Sequence, residues 1–418
     1  MVEFKKYIGP HGIPVYHQSL PMVESVAIHW MIFTGGADDA TVGTDGAHHW
    51  FEHVPFRGTV DFPTSMAIDG PFLPRSGVVN AWTNPVATCF WAYVHESQAE
   101  LALHVITDLW SRPLMTEESI EAERKIIFEE IRKKNSQLAG SVFYQLPRLL
   151  WPGHPLGHSV LGSLESLSKL DAATLRKAHE HGYAASRAVL FASGNDKAVH
   201  DALEKVSAVI PQTKLSERRA PAQYGALPAW QGGTTEEIAT DFPSSLVLTL
   251  FPTPKISSPK EQAIWDMAGS MLSYGGMASP LSQIVRVKHQ LAYDTDTFGL
   301  DYPDGGFSGI EIETSAEKIP QAHQALAEVF ADPRIRSQER FEEILTGYQY
   351  SRRMRPIDPG DYNVSAYRSL LNFGQVMSDA EIEEMYQSIT LKDVVAALDR
   401  CTPNLARTII FKGNGKAS

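Results

Sequence analysis

Five consecutive residues, His49, Trp50, Phe51, Glu52 and His53, set two imidazoles and a carboxylate at spacings of three and four. On an α-helix the positions i, i+3 and i+4 share a face, so these three side chains converge. Imidazole nitrogen is a ready ligand for zinc, and a catalytic zinc keeps one position open for a water whose pKa it lowers towards neutrality. A neighbouring carboxylate can take the proton of that water and later deliver it to a leaving amine. The pattern therefore reads as His49 and His53 for the metal, with Glu52 as general base. With 15 histidines among 418 residues, HxxEH arises by chance in about 0.03 of such chains. Chance is a poor explanation, and poorer still if a third ligand exists.

The run EAERKIIFEEIRKK, residues 121 to 134, offers one. In helical geometry Glu130 shares its face with Ile126, Ile127 and Glu123, whereas Glu129 has Lys125, Arg132 and Lys133 as neighbours. Glu129 is then the solvated residue. A carboxylate on an apolar face needs a partner or a cation, because burying it alone is costly. Glu123 lies two turns earlier, roughly 10 Å along the axis, so it serves as an auxiliary group and not as a duplicate ligand.

Several elements must position these residues. Residues 22 to 34 read as a β-branched and aromatic strand, closed by Gly35 and Gly36, and a helix follows from about Asp45. Strands are expected from Gly77 to Thr83 and from Thr88 to His95, with Asn84 and Pro85 as the turn between them. Helices are expected from Ser97 to Ser111 and from Thr116 to about Gln137, the second with a Thr N-cap, Glu117 and Glu118 in its first turn and Lys133 and Lys134 near its end. The order strand, acidic turn, amphipathic helix over 88 to 113 recurs over 308 to 334, and the strand from Ser25 to Phe33 has a counterpart from Ser244 to Phe251. Between the copies, a stretch rich in Pro, Ala, Gly and Gln reads as a linker. The expectation is an α+β chain with an N-terminal domain over 1–206, a linker over 207–233 and a C-terminal domain of the same design over 234–418, the second without zinc ligands.

The stretch GAHHWFEHVPFRGT resembles the zinc-site helix of the pitrilysin/insulinase family, the inverted zincins. In that family the third ligand is a Glu at the spacing that separates Glu130 from His53. VVNAWT, residues 78 to 83, resembles the family's edge strand that pairs with substrate, which implies substrate binding by Asn80 and Ala81. HPLGHSVLGSLESL and YAASRAVLFASGN resemble further shared segments of the first domain. GGMASPLSQIVRVKHQLAY resembles a Gly-rich segment carrying an Arg and a Tyr, matched by Arg286 and Tyr293. Their guanidinium and phenol can stabilise charge on a carbonyl oxygen or orient the peptide backbone. The resemblance further implies one zinc ion per chain, mostly antiparallel sheets covered by helices, and two chains closing as a chambered clamshell. In a chain of this length Arg286 and Tyr293 would come from the partner, either a second copy or a related subunit.

This chain departs from the family pattern at Pro55, which ends the helix near Val54, and at Pro280, which with Ser279 reads as N-cap plus N1. Other histidines have plainer readings. His48 lies about 100° round the helix and is structural, His154 and His158 sit in a Gly/Pro-rich loop, and His289 is exposed. Trp50 and Phe51 are core residues on the helix's other faces.

Composition sets the outer bounds. A formal charge of −12 without a dense basic run argues against nucleic acid as a partner. The two cysteines, Cys89 and Cys401, stand far apart, so a metal must be held by nitrogen and oxygen. No apolar run approaches the eighteen or so residues of a membrane span, and MVEFKKYIGPHG lacks a signal-peptide h-region, which places the chain in the cytoplasm. The reading is a zinc endopeptidase acting on peptides or unfolded segments. Its alternatives are a non-catalytic peptide-binding or assembly subunit and a zinc amidohydrolase of non-peptide substrates.

Overall fold

The computed structural model describes residues 3–212, 224–292, 294–302, 304–354 and 357–415. They form two compact units, the first drawn from Met1–Ser136, Phe143–Tyr224 and Ile357–Asp379, the second from Gln137–Val142, Gly225–Pro356 and Ala380–Ser418. No helix among the described residues is long and apolar enough to cross a membrane.

The first unit holds six strands, β1 Phe4–Ile8, β2 Pro14–Ser19, β3 Ser25–Ile32, β4 Val78–Thr83, β5 Thr88–His95 and β6 Ala188–Gly194, in the spatial order β1-β2-β6-β3-β5-β4. Only β2 and β6 run parallel; the other pairs are antiparallel. Strand β3 is β-branched and aromatic, and it alternates as a strand must: Val26, Ile28, Trp30 and Ile32 enter one apolar cluster, Met31 and Phe33 another. Both faces are covered. On one lie helices α1 Ala47–His53, α2 Ala99–Ser111, α3 Glu117–Asn135, α4 Ala172–Gly182 and α5 Asp196–Val206, which contribute to the same cluster as Trp30. On the other lies the helix Pro359–Phe373, whose Ala366 and Tyr367 join Met31 and Phe33. Its buried Asn363 accepts from Ser193 Oγ at 2.7 Å and donates to the Ala27 carbonyl at 3.1 Å. A segment remote in sequence thus completes the first unit.

The second unit repeats the scheme with β7 Thr234–Ala239, β8 Ser245–Thr253, β9 Thr295–Tyr302, β10 Gly305–Thr314 and β11 Arg407–Lys412, ordered β7-β11-β8-β10-β9. Here β7 and β11 are the parallel pair. Position for position, β7, β11, β8, β10 and β9 match β2, β6, β3, β5 and β4 of the first sheet. The class is α+β with two like sheets, as the internal repetition suggested.

Candidate metal centre

Helix α1 carries the HxxEH residues and has only seven residues, too few to persist alone, since isolated helices under about 12–15 residues are marginal in water. Packing holds it. Trp50 and Phe51 are fully buried, each worth roughly 1.5–3 kcal/mol or more in burial. The Phe51 ring lies 4.1 Å from that of Tyr183 and 5.0 Å from that of His179, centroid to centroid. Arg124 of α3 covers Trp50 at 4.5 Å.

The start of α1 is capped from outside the helix. Its N-cap is Gly46, in the left-handed region at φ 89°, with no side chain to offer. The buried Asp39 takes that role, accepting from the Gly46 N–H at 2.6 Å and the His48 N–H at 3.0 Å, with the His48 imidazole Nδ1 at 2.6 Å. His48 is therefore structural, as expected. The helix ends at His53, and residues 54 to 57 continue as a 3₁₀ turn with Pro55 at its start. Pro55 marks the terminus.

The ligand atoms of His49, His53 and Glu130 all lie within 4.8 Å of one another. Glu130 Oε2 is 3.7 Å from Nε2 of His49 and 3.7 Å from Nε2 of His53. Tetrahedral zinc with bonds of about 2.0–2.1 Å needs ligand separations of roughly 3.3 Å, so Glu130 stands within a few tenths of an ångström of that spacing from each imidazole, and the cluster as a whole contracts on binding. Two imidazoles and a carboxylate are also the donor set of known catalytic zinc sites. Burial holds the His49 pKa down to about 3, which keeps its nitrogens free of excess protons for a cation. Both its Nδ1 and the Glu52 Oε2 are buried with no hydrogen-bond partner among the described residues. The residues fit the ion.

Glu52 is buried, and that burial raises its pKa, opposed by the charge of His53 and by a hydrogen bond from the Thr83 side chain. Thr83 ends strand β4, so the edge strand touches the general-base candidate directly. Glu123 stands beside the ligands, with its Oε2 3.4 Å from Nδ1 of His53 and its Oε1 taking Nε of Arg57. Burial acts to raise the Glu123 pKa, but the bonds from His53 and Arg57 bring it below the usual range. For His53 the order is similar: burial lowers, and Glu123, Glu52 and Glu130 together raise it. Glu129 is exposed and paired with Arg132, which leaves Glu130 as the inward residue. The face read as apolar is mixed, however, since Ile127 is buried whereas Ile126 is 47% exposed.

Strand β4 lies at the sheet edge; Asn80 is exposed there and Ala81 buried, and the Asn80 side-chain oxygen accepts from the Ala81 N–H at 2.8 Å. Arg286 falls in the second unit on a single π-helical turn, Gln283–Lys288, which follows Ser279 as N-cap and Pro280 at N1. Tyr293 lies outside the described residues. His154 caps the turn Pro155–Gly157, and His158 Nδ1 meets Asp45 Oδ1 at 2.6 Å, tying the 154–167 loop to the approach of α1. His289 is exposed and bonds Glu328. Three contributors escaped the sequence reading: Asp39, Arg57 and Thr83. Thr83 sits in the VVNAWT run, and Arg57 follows a helix-ending proline by two residues, which are usable signals; Asp39 has none.

A family model described as Insulinase (Peptidase family M16) matches residues 15–164, and one described as Peptidase M16 inactive domain matches residues 169–348. Zinc protease YmxG of Bacillus subtilis is 26% identical over 330 residues, 78% of this chain and 78% of its own. The beta subunit of the mitochondrial-processing peptidase of Blastocladiella emersonii is 25% identical over 403 residues, 92% of this chain and 83% of its own. Among solved structures, a protease from Helicobacter pylori superposes with a TM-score of 0.86 at 17% identity, covering 99% of this chain and 100% of that one.

Proposed function

This chain belongs to the insulinase family of peptidases, family M16, and from that premise we propose that it is a zinc-dependent endopeptidase cleaving peptides or unfolded polypeptide segments. The observation that carries the proposal is the convergence of His49, His53 and Glu130 beside a buried Glu52. The relatives' zinc-protease names agree with it.

His49, His53 and Glu130 would hold one zinc ion per chain, which when bound lowers the pKa of water and polarises a carbonyl oxygen. Glu52 takes the proton of the attacking water at its carboxylate and carries it to the leaving amine, and burial, which raises its pKa, strengthens it as a base. The hydroxyl of Thr83 lies beside the Glu52 carboxylate and offsets part of the effect of its burial. An extended substrate adds to the edge of β4, where the Asn80 side chain gives up its bond to the Ala81 N–H and both residues turn to the substrate backbone. Glu123 supports His53. Arg286 and Tyr293, supplied by a second chain, bind the substrate backbone and the charge that develops on its carbonyl oxygen. The active form is then a dimer, with a second copy or a related subunit, and sedimentation of an active monomer would contradict this.

Digestion of a mixed peptide pool by wild type and by Glu52→Gln, with zinc content measured alongside, tests the proposal. The variant should keep zinc and lose cleavage. Equal cleavage by both would remove Glu52 from the mechanism, and a zinc-loaded but inactive wild type would favour a peptide-binding subunit.

A further inference from the structure

The two histidines that face Glu130 are held in different ways. His49 has a buried Nδ1 with no hydrogen-bond partner among the described residues, whereas His53 presents Nδ1 to Glu123 at 3.4 Å and Nε2 to Glu130 at 3.7 Å. An imidazole gripped at one nitrogen has its tautomer and ring angle set for the other. The Glu123 carboxylate is itself gripped on both oxygens, Oε2 by His53 and Oε1 by Arg57.

We propose that Arg57 is a positioning residue for the metal ligand His53, acting through Glu123. The role rests on the zinc-centre reading above. Glu123 is nearly buried, its side chain 7% exposed, while Arg57 is 35% exposed and reaches in from the surface. Without the guanidinium, Glu123 would be a buried carboxylate with one free oxygen. Such a group rotates towards solvent, and that rotation releases His53.

The backbone explains why Arg57 arrives there. Pro55 cannot continue the hydrogen-bond ladder of α1, so residues 54 to 57 tighten into a 3₁₀ turn that swings Arg57 towards α3. Gly58 ends the turn at a point where a Cβ would stand 2.7 Å from the Pro63 carbonyl oxygen, and its own carbonyl accepts from the Leu114 N–H at 2.9 Å. The turn is pinned on both sides. On this account the proline that departs from the family pattern delivers the cation that steadies the ligand two residues before it.

The test is a zinc-affinity titration against a chromophoric chelator for wild type, Arg57→Ala, Arg57→Lys, Glu123→Gln and the Arg57→Ala/Glu123→Gln double variant. Apo-protein melting and the Co²⁺ absorption spectrum are recorded on each. Loss of Arg57 or of Glu123 should each weaken zinc by about 10- to 100-fold, the usual scale for a group supporting a ligand. The double variant should be no weaker than Glu123→Gln alone, Lys should recover much of the affinity, and the Co²⁺ bands of Arg57→Ala should shift. If Arg57→Ala does not fold, Arg57→Gln keeps the length and a donor without the charge and carries the same comparison. Wild-type affinity and an unchanged Co²⁺ spectrum in Arg57→Ala, or losses that add in the double variant, would overturn the role while leaving the zinc site standing. A wild type that binds no zinc would overturn both.

Discussion

His49 and His53 are one helical turn apart and chemically alike, yet their surroundings give them opposite tendencies: burial drives the His49 pKa down, and three carboxylates drive that of His53 up. A third histidine permits a direct pH test, because it is not a member of the His49, His53 and Glu130 cluster. His158 bonds Asp45, and that bond, with burial opposing it, raises its pKa above the ordinary 6.5. A raised folded-state pKa means the pair's contribution is complete below about 6.5 and fades as pH rises through the folded value. The stability gap between wild type and Asp45→Asn, read from urea midpoints, should therefore be widest under mildly acidic conditions and shrink above neutrality. A gap that grows with pH would assign the wrong sign. At this scale much was readable beforehand, because the i, i+3, i+4 spacing needs only helix geometry and Glu130 was separated from Glu129 by its neighbours. Arg57 was not, since its partner Glu123 is 66 residues away and only tertiary packing joins them.

Helix α1 shows what an element can and cannot disclose. Its period and its C-terminal end were legible: Pro55 stops it, and Trp50 and Phe51 bury its other faces. Its beginning was not, because the N-cap is a glycine and the capping carboxylate belongs to Asp39, seven residues upstream of Gly46. Asp39 and His48 are both buried, and leaving a buried hydrogen-bonding group without its partner costs about 1–3 kcal/mol. Asp39→Ala should lower the unfolding free energy of the first unit by that order, seen by tryptophan fluorescence in urea, and should weaken zinc as the helix start loosens. Asp39→Asn, which retains an acceptor for the Gly46 N–H, should lose less. A stable, zinc-tight Asp39→Ala would show that packing of Trp50 and Phe51 is enough.

For the whole molecule, repetition within the sequence exposed two sheets of one design, and the near-continuous burial of β3 and its counterpart β8 follows from the same β-branched and aromatic residue types. Repetition says nothing about trade between copies. The helix Pro359–Phe373 comes from the C-terminal half of the chain yet covers the first sheet, where Asn363 satisfies the buried Ser193 hydroxyl. No local pattern marks that placement, because an amphipathic helix fits any apolar face of the right width. The consequence for function is that the first sheet, and the edge strand that meets Glu52, depends on residues far beyond the metal-binding region.

The proposed activity stands on a single zinc ion bound by His49, His53 and Glu130. Anomalous scattering from crystals of the zinc-supplied protein, collected on either side of the zinc edge, tests it most directly. One anomalous peak per chain, within about 2.0–2.2 Å of the two Nε2 atoms and a Glu130 oxygen, is the expected result. A peak bound by other residues, or no peak at this cluster, would contradict it.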